Sequence, residues 1–380
     1  MKRIITGLSA GLFLLSVADG KTINQNEIAK LRHDVDRLME ENQQIKSNFE
    51  DNAKSGFQLA GYASFDYADT QNSNSSFSGV KFAPIFHYKY ADIIQFEGEL
   101  EFTINSNGET DVTLEYAAGT LFINDYMGIQ MGKFLSPIGQ FVQNLHPSWI
   151  NKMPSAPLGF GHDGAAPTSN IGLALRGGLP KIGKIRSNYV IFVSNAPTFG
   201  IAADGDVIID TEVSTTTNNS QMTVGGRYAI NPIGNMEIGI SAATGEVTEI
   251  LVSGNEYARS YDVFGTDMMY NYNAFSLKAE YIQQKIGNNP NSPVQGGSWR
   301  AWYTQFSYQF SFMPLEPVLR YGSYDNPEAT RDQWAIGLNY LFTNSIIAKI
   351  AYESNRGQSR ETGEPVSDND RVLAQFAFGF

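Results

Sequence analysis

The stretch Ile94 to Ile104 sets three carboxylates, Glu97, Glu99 and Glu101, two residues apart. On an extended strand that spacing puts all three on one face, while Ile94, Phe96, Leu100, Phe102 and Ile104 take the other. A row of like charges in a confined, low-dielectric wall attracts counter-ions and repels co-ions, which is ion-guiding chemistry. The preceding apolar–polar stretch carries Lys81, His87 and Lys89 with the same parity. Either these bases neutralise the acids across the ladder, or the acidic stripe sets a charge preference.

Catalytic chemistry finds little support. The four histidines are His33, His87, His146 and His162, and none sits in a G-x-S-x-G elbow or an H-E-x-x-H helix. His146 or His162 with Asp163 would be the one conceivable dyad, and a polar loop is the better home for them. The acidic runs at 204–206 and 367–370 lack EF-hand spacing and read as solvated surface near cation-bridged lipopolysaccharide. No enzyme activity, cofactor or metal is expected.

These side chains must be positioned by elements that the rest of the chain defines. Lys2 and Arg3, the apolar stretch 4–17 and Ala18-Asp19-Gly20 read as a secretory signal, 1–20. Its removal leaves 25 bases against 38 acids, a charge of −13, which argues against nucleic-acid partners. The chain has no cysteine, so disulfides contribute nothing in an oxidising compartment.

Two periodicities follow. Over 21–55, Ile28, Leu31, Val35, Leu38, Asn42, Ile45 and Phe49 occupy alternating a and d positions, predicting a short coiled coil with Glu27–Arg32 and Glu41–Lys46 complementary across a parallel seam. The alternative is one amphipathic helix lying on its own domain. From 56 to 380 the period is two, and sixteen strands are predicted, the first at 57–67 and the last at 370–380. Short turns follow every second strand, and most of the other connections are long and polar. That alternation is hard to obtain in a sandwich and describes a 16-stranded antiparallel transmembrane β-barrel, preceded by the α-helical coiled coil. The membrane supplies the apolar exterior that Phe376, Phe378 and Phe380 require, and Tyr88, Tyr90, Tyr116, Trp302, Tyr308, Trp334 and Tyr340 share the outward parity.

The chain resembles a Gram-negative outer-membrane porin and is similar to the phosphate-selective porin O and P family. The leader and short coiled coil, MGIQMGKFLSPIGQF (Met127 to Phe141), EPVLRYGSYD (Glu316 to Asp325) and the terminal Phe380 carry the resemblance. It implies sixteen strands, a homotrimer, a third loop folded into the lumen, and Phe380 as a signal to the barrel-assembly machinery. The coiled coil would then lie in the periplasm and the barrel among outer-membrane lipid and lipopolysaccharide.

Inward parity assigns Lys81, His87, Lys89, Glu97, Glu99, Glu101, Glu115, Arg176, Arg186, Arg227, Lys278, Glu280, Arg320 and Lys349 to the pore lining. A wall of sixteen strands is roughly 30 Å across, too wide for side chains to fill, so water and small hydrophilic solutes and ions would pass. The bases are scattered among acids rather than forming a ladder, which favours weak, mildly cation-leaning selectivity. An anion- or phosphate-selective porin, or a barrel-anchored adhesin or envelope tether without channel activity, are the alternatives. The long third loop, near 136–168, carries prolines and aromatics and presents Lys152, His162 and Asp163; it either constricts the pore or braces the mouth or a subunit interface.

Overall fold

The computed structural model describes residues 34–41, 43 and 55–380, apart from 72, 106, 162–163, 166, 202–206, 211–220, 251–255, 293–294 and 367–368. The leader, His33, His162, Asp163, the acidic run 204–206 and the seam residues Ile28, Leu31, Asn42, Ile45 and Phe49 lie outside the described residues. The chain divides into two units, Met1–Gly56 and Phe57–Phe380. In the first, residues 34–41 are helical, with Val35 and Leu38 each about half exposed. Arg37 lies within 4.0 Å of Asp34 and 3.7 Å of Glu41, ion pairs along one helix face. That helix is shown; its pairing into a coiled coil is not.

The second unit is a sheet of eighteen strands: β1 (Ser55–Thr70), β2 (Ser76–Tyr90), β3 (Ile94–Ile104), β4 (Thr110–Asn124), β5 (Met127–Leu135), β6 (Ser169–Ile182), β7 (Ile185–Asn195), β8 (Thr198–Ile201), β9 (Val207–Asp210), β10 (Met222–Asn231), β11 (Met236–Ile250), β12 (Glu256–Tyr272), β13 (Phe275–Ile286), β14 (Ser298–Tyr308), β15 (Leu315–Asp325), β16 (Ala329–Leu341), β17 (Ile346–Ser359) and β18 (Arg371–Gly379). β7 pairs directly with β10, leaving β8 and β9 as a hairpin off the wall, so the wall itself has sixteen antiparallel strands. β18 pairs with β1 from Tyr62↔Gly379 to Thr70↔Arg371, and Gly61 and Phe380 exchange backbone hydrogen bonds of 3.0 and 2.9 Å. The barrel is closed, as the alternating connections predicted.

One rim carries turns of two to six residues, among them Asn273-Ala274 and Gly183-Lys184. Asn273 takes φ +51° and Gly183 φ +64°, the left-handed conformations that tight hairpins need and that Asn and Gly tolerate. Rings cluster at this rim: Tyr270 stacks on Tyr272, Phe275 meets Phe306 and Tyr308, and Tyr340 meets Phe342. Along β14, Trp299, Ala301, Tyr303, Gln305 and Ser307 are buried while Trp302 and Phe306 face out, the parity of a wall with lipid on one side.

One outward assignment is corrected. Leu100 pairs with Leu114 but Glu99 pairs with Tyr116, so Glu115 is an extra residue in a β-bulge. The bulge shifts the side-chain period by one, turning Tyr116 inward to hydrogen-bond Glu99.

The seam between β1 and β18 leaves almost no space. A Cβ on Gly61 would lie 2.5 Å from the carbonyl oxygen of Ala83 and 2.7 Å from the Phe380 ring, which stacks on Phe82 at 5.9 Å. Gly61→Val should therefore abolish formation of the heat-modifiable, folded band in unboiled electrophoresis. Phe380→Ala should leave it present but lower its melting temperature, since an aromatic pair contributes about 1 kcal/mol beyond its buried area.

Candidate functional site

The segment 136–168 turns into the barrel rather than out over its mouth, and the sequence at its root explains how. Ser136 donates its N–H to the carbonyl of Thr168 at 3.0 Å, closing the base. Gly139 has φ +76°, and a Cβ there would lie 1.8 Å from Glu280 Oε1. Only glycine lets the backbone come so close, and the Gln140 and Phe141 N–H groups then each donate to the Glu280 carboxylate at 3.0 Å. A π-helical turn, Phe141–Leu145, follows.

Further along, the segment is fastened strand by strand. Arg320 donates to the Ser155 carbonyl at 2.9 Å and its hydroxyl at 2.6 Å, and lies 3.2 Å from Glu353. Lys152 pairs with Glu316 at 3.2 Å, and its carbonyl accepts from Asn339 at 3.0 Å. Lys349 donates to the Ser148 carbonyl and, at 2.6 Å, to Gln375. Gln284 donates to the Gly164 carbonyl at 2.9 Å. Apolar contacts back these polar ones: Phe160 meets Tyr303 edge-on at 5.0 Å, Phe141 meets both, and Met153 is buried with Val318, Ala335 and Ala351. The β8–β9 hairpin adds Phe199 and Ile209 to the same core, with Arg259 over the Phe199 ring at 5.0 Å and paired to Glu249 at 2.7 Å.

Many charges assigned to the pore lining therefore lie between wall and loop. Glu280, Arg320 and Lys349 are buried by the loop, Lys278 lies near Lys152 and Glu316, and Arg227 is held by Asp267 at 2.6 Å and Glu237 at 2.8 Å. Open space remains mainly along β1 to β7, and the larger cavity also reaches Arg227, Glu237 and Met269 on β10 to β12. A cavity of about 640 Å³ is bordered by Glu97, Asp125, Arg176, Asn188 and Glu237 on the wall and by Gln140, Gln143 and Asn144 on the loop. A second, of about 230 Å³, is bordered by Asp66, Lys81, Glu101 and Glu115 and by Phe141, Val142 and His146.

On this side Lys81 pairs with Glu101 at 2.8 Å and neutralises that member of the acidic stripe, while His87 Nδ1 lies 2.9 Å from a Glu97 carboxylate oxygen. Glu99 and Asp66 are held by neutral groups instead: Tyr62 and Tyr116 on the first, Gln375 and Ser64 on the second. Arg176 donates to Gln130 at 3.2 Å. Lys89, paired with Asp92 at 2.8 Å, and Arg186 are exposed toward the short-turn rim. Tyr62, Ser155 and Gln375 were missed as site residues. Tyr62 shares the polar parity of Gln58, Ser64 and Asp66, which was its one available signal.

Residues 233–380 match the sequence model of the family described as phosphate-selective porin O and P, a span that includes EPVLRYGSYD and Phe380. No curated protein sequence matches the chain. Among solved structures, the anion-selective porin from Comamonas acidovorans superposes with a TM-score of 0.58 at 13% identity, over 86% of this chain and 100% of that one. Salmonella typhi OmpF in complex with daunomycin gives 0.56 at 16%, over 87% and 99%. A trimer form of in-vitro folded OmpT, an outer membrane protein of Vibrio cholerae, gives 0.53 at 9%, over 86% and 99%. The resemblance to porins read from the sequence is borne out, and the fold is that of a porin-like outer-membrane channel.

The Glu280 clamp has a measurable consequence. Glu280→Ala would strand two buried N–H donors, a loss of about 3 kcal/mol. The barrel should still form, but limited proteolysis should cut within 136–168 far faster than in the unsubstituted protein.

Proposed function

We propose that this protein is a non-enzymatic diffusion channel of the Gram-negative outer membrane, passing small hydrophilic solutes and ions with a weak preference for cations. The observation that carries the proposal is the asymmetry of the lumen: the loop 136–168 is clamped to one side of a closed barrel and leaves polar, water-accessible space along β1 to β7. A wall of this circumference excludes a filled core, so the loop sets the free cross-section.

Support for the cation preference comes from where the charges sit. Arg320, Lys349 and Lys152 are engaged in fastening the loop and Arg227 in wall ion pairs, whereas Asp66 and Glu115 border the smaller cavity. Anion selectivity, the property named for the matched family and for the Comamonas porin, would need the bases at the cavities, Arg176 and Arg227 beside the larger and Lys81 beside the smaller, to outweigh these acids. The trimer form solved for the Vibrio protein supports a homotrimer, with the N-terminal segment 21–55 as a periplasmic coiled coil. A barrel serving only to anchor an adhesin or tether would have no need of the open side.

Planar-bilayer recording across a potassium chloride gradient tests this. Conductance steps in groups of three with a reversal potential on the cation side are expected, and Glu101→Gln should move the reversal toward zero. Deleting 140–161 should raise the conductance of each step. Anion-side reversal would overturn the selectivity, and a silent bilayer from folded barrels would overturn the channel itself.

A further inference from the structure

Glu99 lies between the two cavities of the lumen. Along the inward stripe of β3, Glu97 borders the larger cavity and Glu101 the smaller, while Glu99 between them borders neither and is 1% exposed. Strand geometry separates alternate residues by roughly 6.6 Å, so the layer between them is about one side chain thick. Its other members come from three elements. Tyr62 on β1 donates its hydroxyl to Glu99 at 2.8 Å and is 1% exposed. Tyr116, turned inward by the β4 bulge, hydrogen-bonds the same carboxylate. From the loop, the His146 ring packs edge-on against Tyr62 at 6.4 Å.

The mounting of His146 differs from that of the rest of the loop. It sits at the end of the π-helical turn, whose start is clamped by Glu280, and its Nδ1 lies 2.6 Å from the carbonyl of Val142 within the same turn. One face of that turn, Gln140, Gln143 and Asn144, borders the larger cavity, and the other, Phe141, Val142 and His146, borders the smaller. The turn is thus the sill between them.

Given the channel proposed above, we infer that Tyr62, Glu99 and His146 form its gate: the contact between Tyr62 and His146 closes the path, and Glu99 is the carboxylate a cation meets when the imidazole moves aside. Glu97 below and Glu101 above extend the same stripe, so a solute crossing the layer passes three carboxylates in succession, two of them partnered by His87 and Lys81. An anion meets no exposed base at the layer itself. A hydroxyl–carboxylate pair such as Tyr62–Glu99 can hand its acceptor oxygen to a passing cation without a charged partner to displace, a lower barrier than breaking an ion pair.

Single-channel recording of the full-length protein and of His146→Ala, Tyr62→Ala, Tyr62→Phe and Glu99→Gln tests the gate. His146→Ala and Tyr62→Ala should raise conductance or open time roughly twofold or more, as expected where one constriction sets the resistance. Tyr62→Phe keeps the ring and should change conductance little. Glu99→Gln should reduce cation preference.

Because the chain has no cysteine, thiol labelling gives a second readout that does not depend on the conductance of a destabilised variant. Glu101→Cys should react with a charged, membrane-impermeant thiol reagent added on the long-loop side only, and Glu97→Cys from the short-turn side only. Adding His146→Ala should let each react from both sides. A conducting protein whose conductance is unchanged by His146→Ala and Tyr62→Ala, or whose single cysteines already label equally from both sides, overturns the gate and leaves the channel standing. Folded barrels that are silent with and without these substitutions overturn both.

Discussion

The bilayer interior offers a backbone no hydrogen-bond partner, so a sheet that crosses it must close on itself. Here closure is the pairing of β18 with β1, finished by the reciprocal bonds between Gly61 and Phe380. Once the ladder closes, parity has two unequal faces, one to lipid and one to a lumen. Sixteen strands make that lumen too wide for wall side chains to fill. Everything that distinguishes this protein from an empty cylinder then has to be supplied from inside, by the loop 136–168 and the β8–β9 hairpin.

Holding a loop inside an aqueous tube is an electrostatic problem as much as an apolar one. The rings of Phe141, Phe160 and Tyr303 remove area from water, but they do not fix register. Register comes from charged side chains that bond to backbone: Glu280 to two successive N–H groups, Arg320 and Lys349 to the carbonyls of Ser155 and Ser148. Charge-assisted bonds of this kind contribute roughly twice what neutral ones do, and breaking one leaves a buried charge without its partner. The same chemistry that would serve ion conduction is thereby spent on architecture over half of the wall.

That division explains what the sequence could and could not convey. Strand positions, connection lengths and inward parity follow from local spacing, and all sixteen wall strands lie where period-two alternation placed them. The β4 bulge was invisible because an extra residue leaves the alternation of its neighbours looking continuous, so Tyr116 was assigned to lipid. More consequential is that parity cannot tell a side chain facing water from one facing a loop. Glu280 and Arg320 point inward as their spacing requires, but a loop more than a hundred residues away in sequence decides that they are buried. Gly139 did leave a trace, as the last glycine of the motif Gly132 to Gly139, although only the approach of Glu280 reveals why it must be glycine.

Selectivity in such a barrel is set less by how many charges the inner wall carries than by which of them the loop leaves uncovered. A basic residue clamped to a loop carbonyl contributes little field where solute passes, because its charge is matched at contact distance by the groups it binds. An acid held by tyrosine or glutamine has no counter-charge at contact distance, and in a low-dielectric wall the charge of such a group is felt across the width of the passage. Two barrels with the same fold and similar charge counts can therefore favour opposite ions if their loops are fastened by residues of opposite sign. In this chain Arg320 and Lys349 are held by loop carbonyls and Arg227 by two wall acids, whereas Asp66 and Glu99 on β1 and β3 accept from neutral side chains.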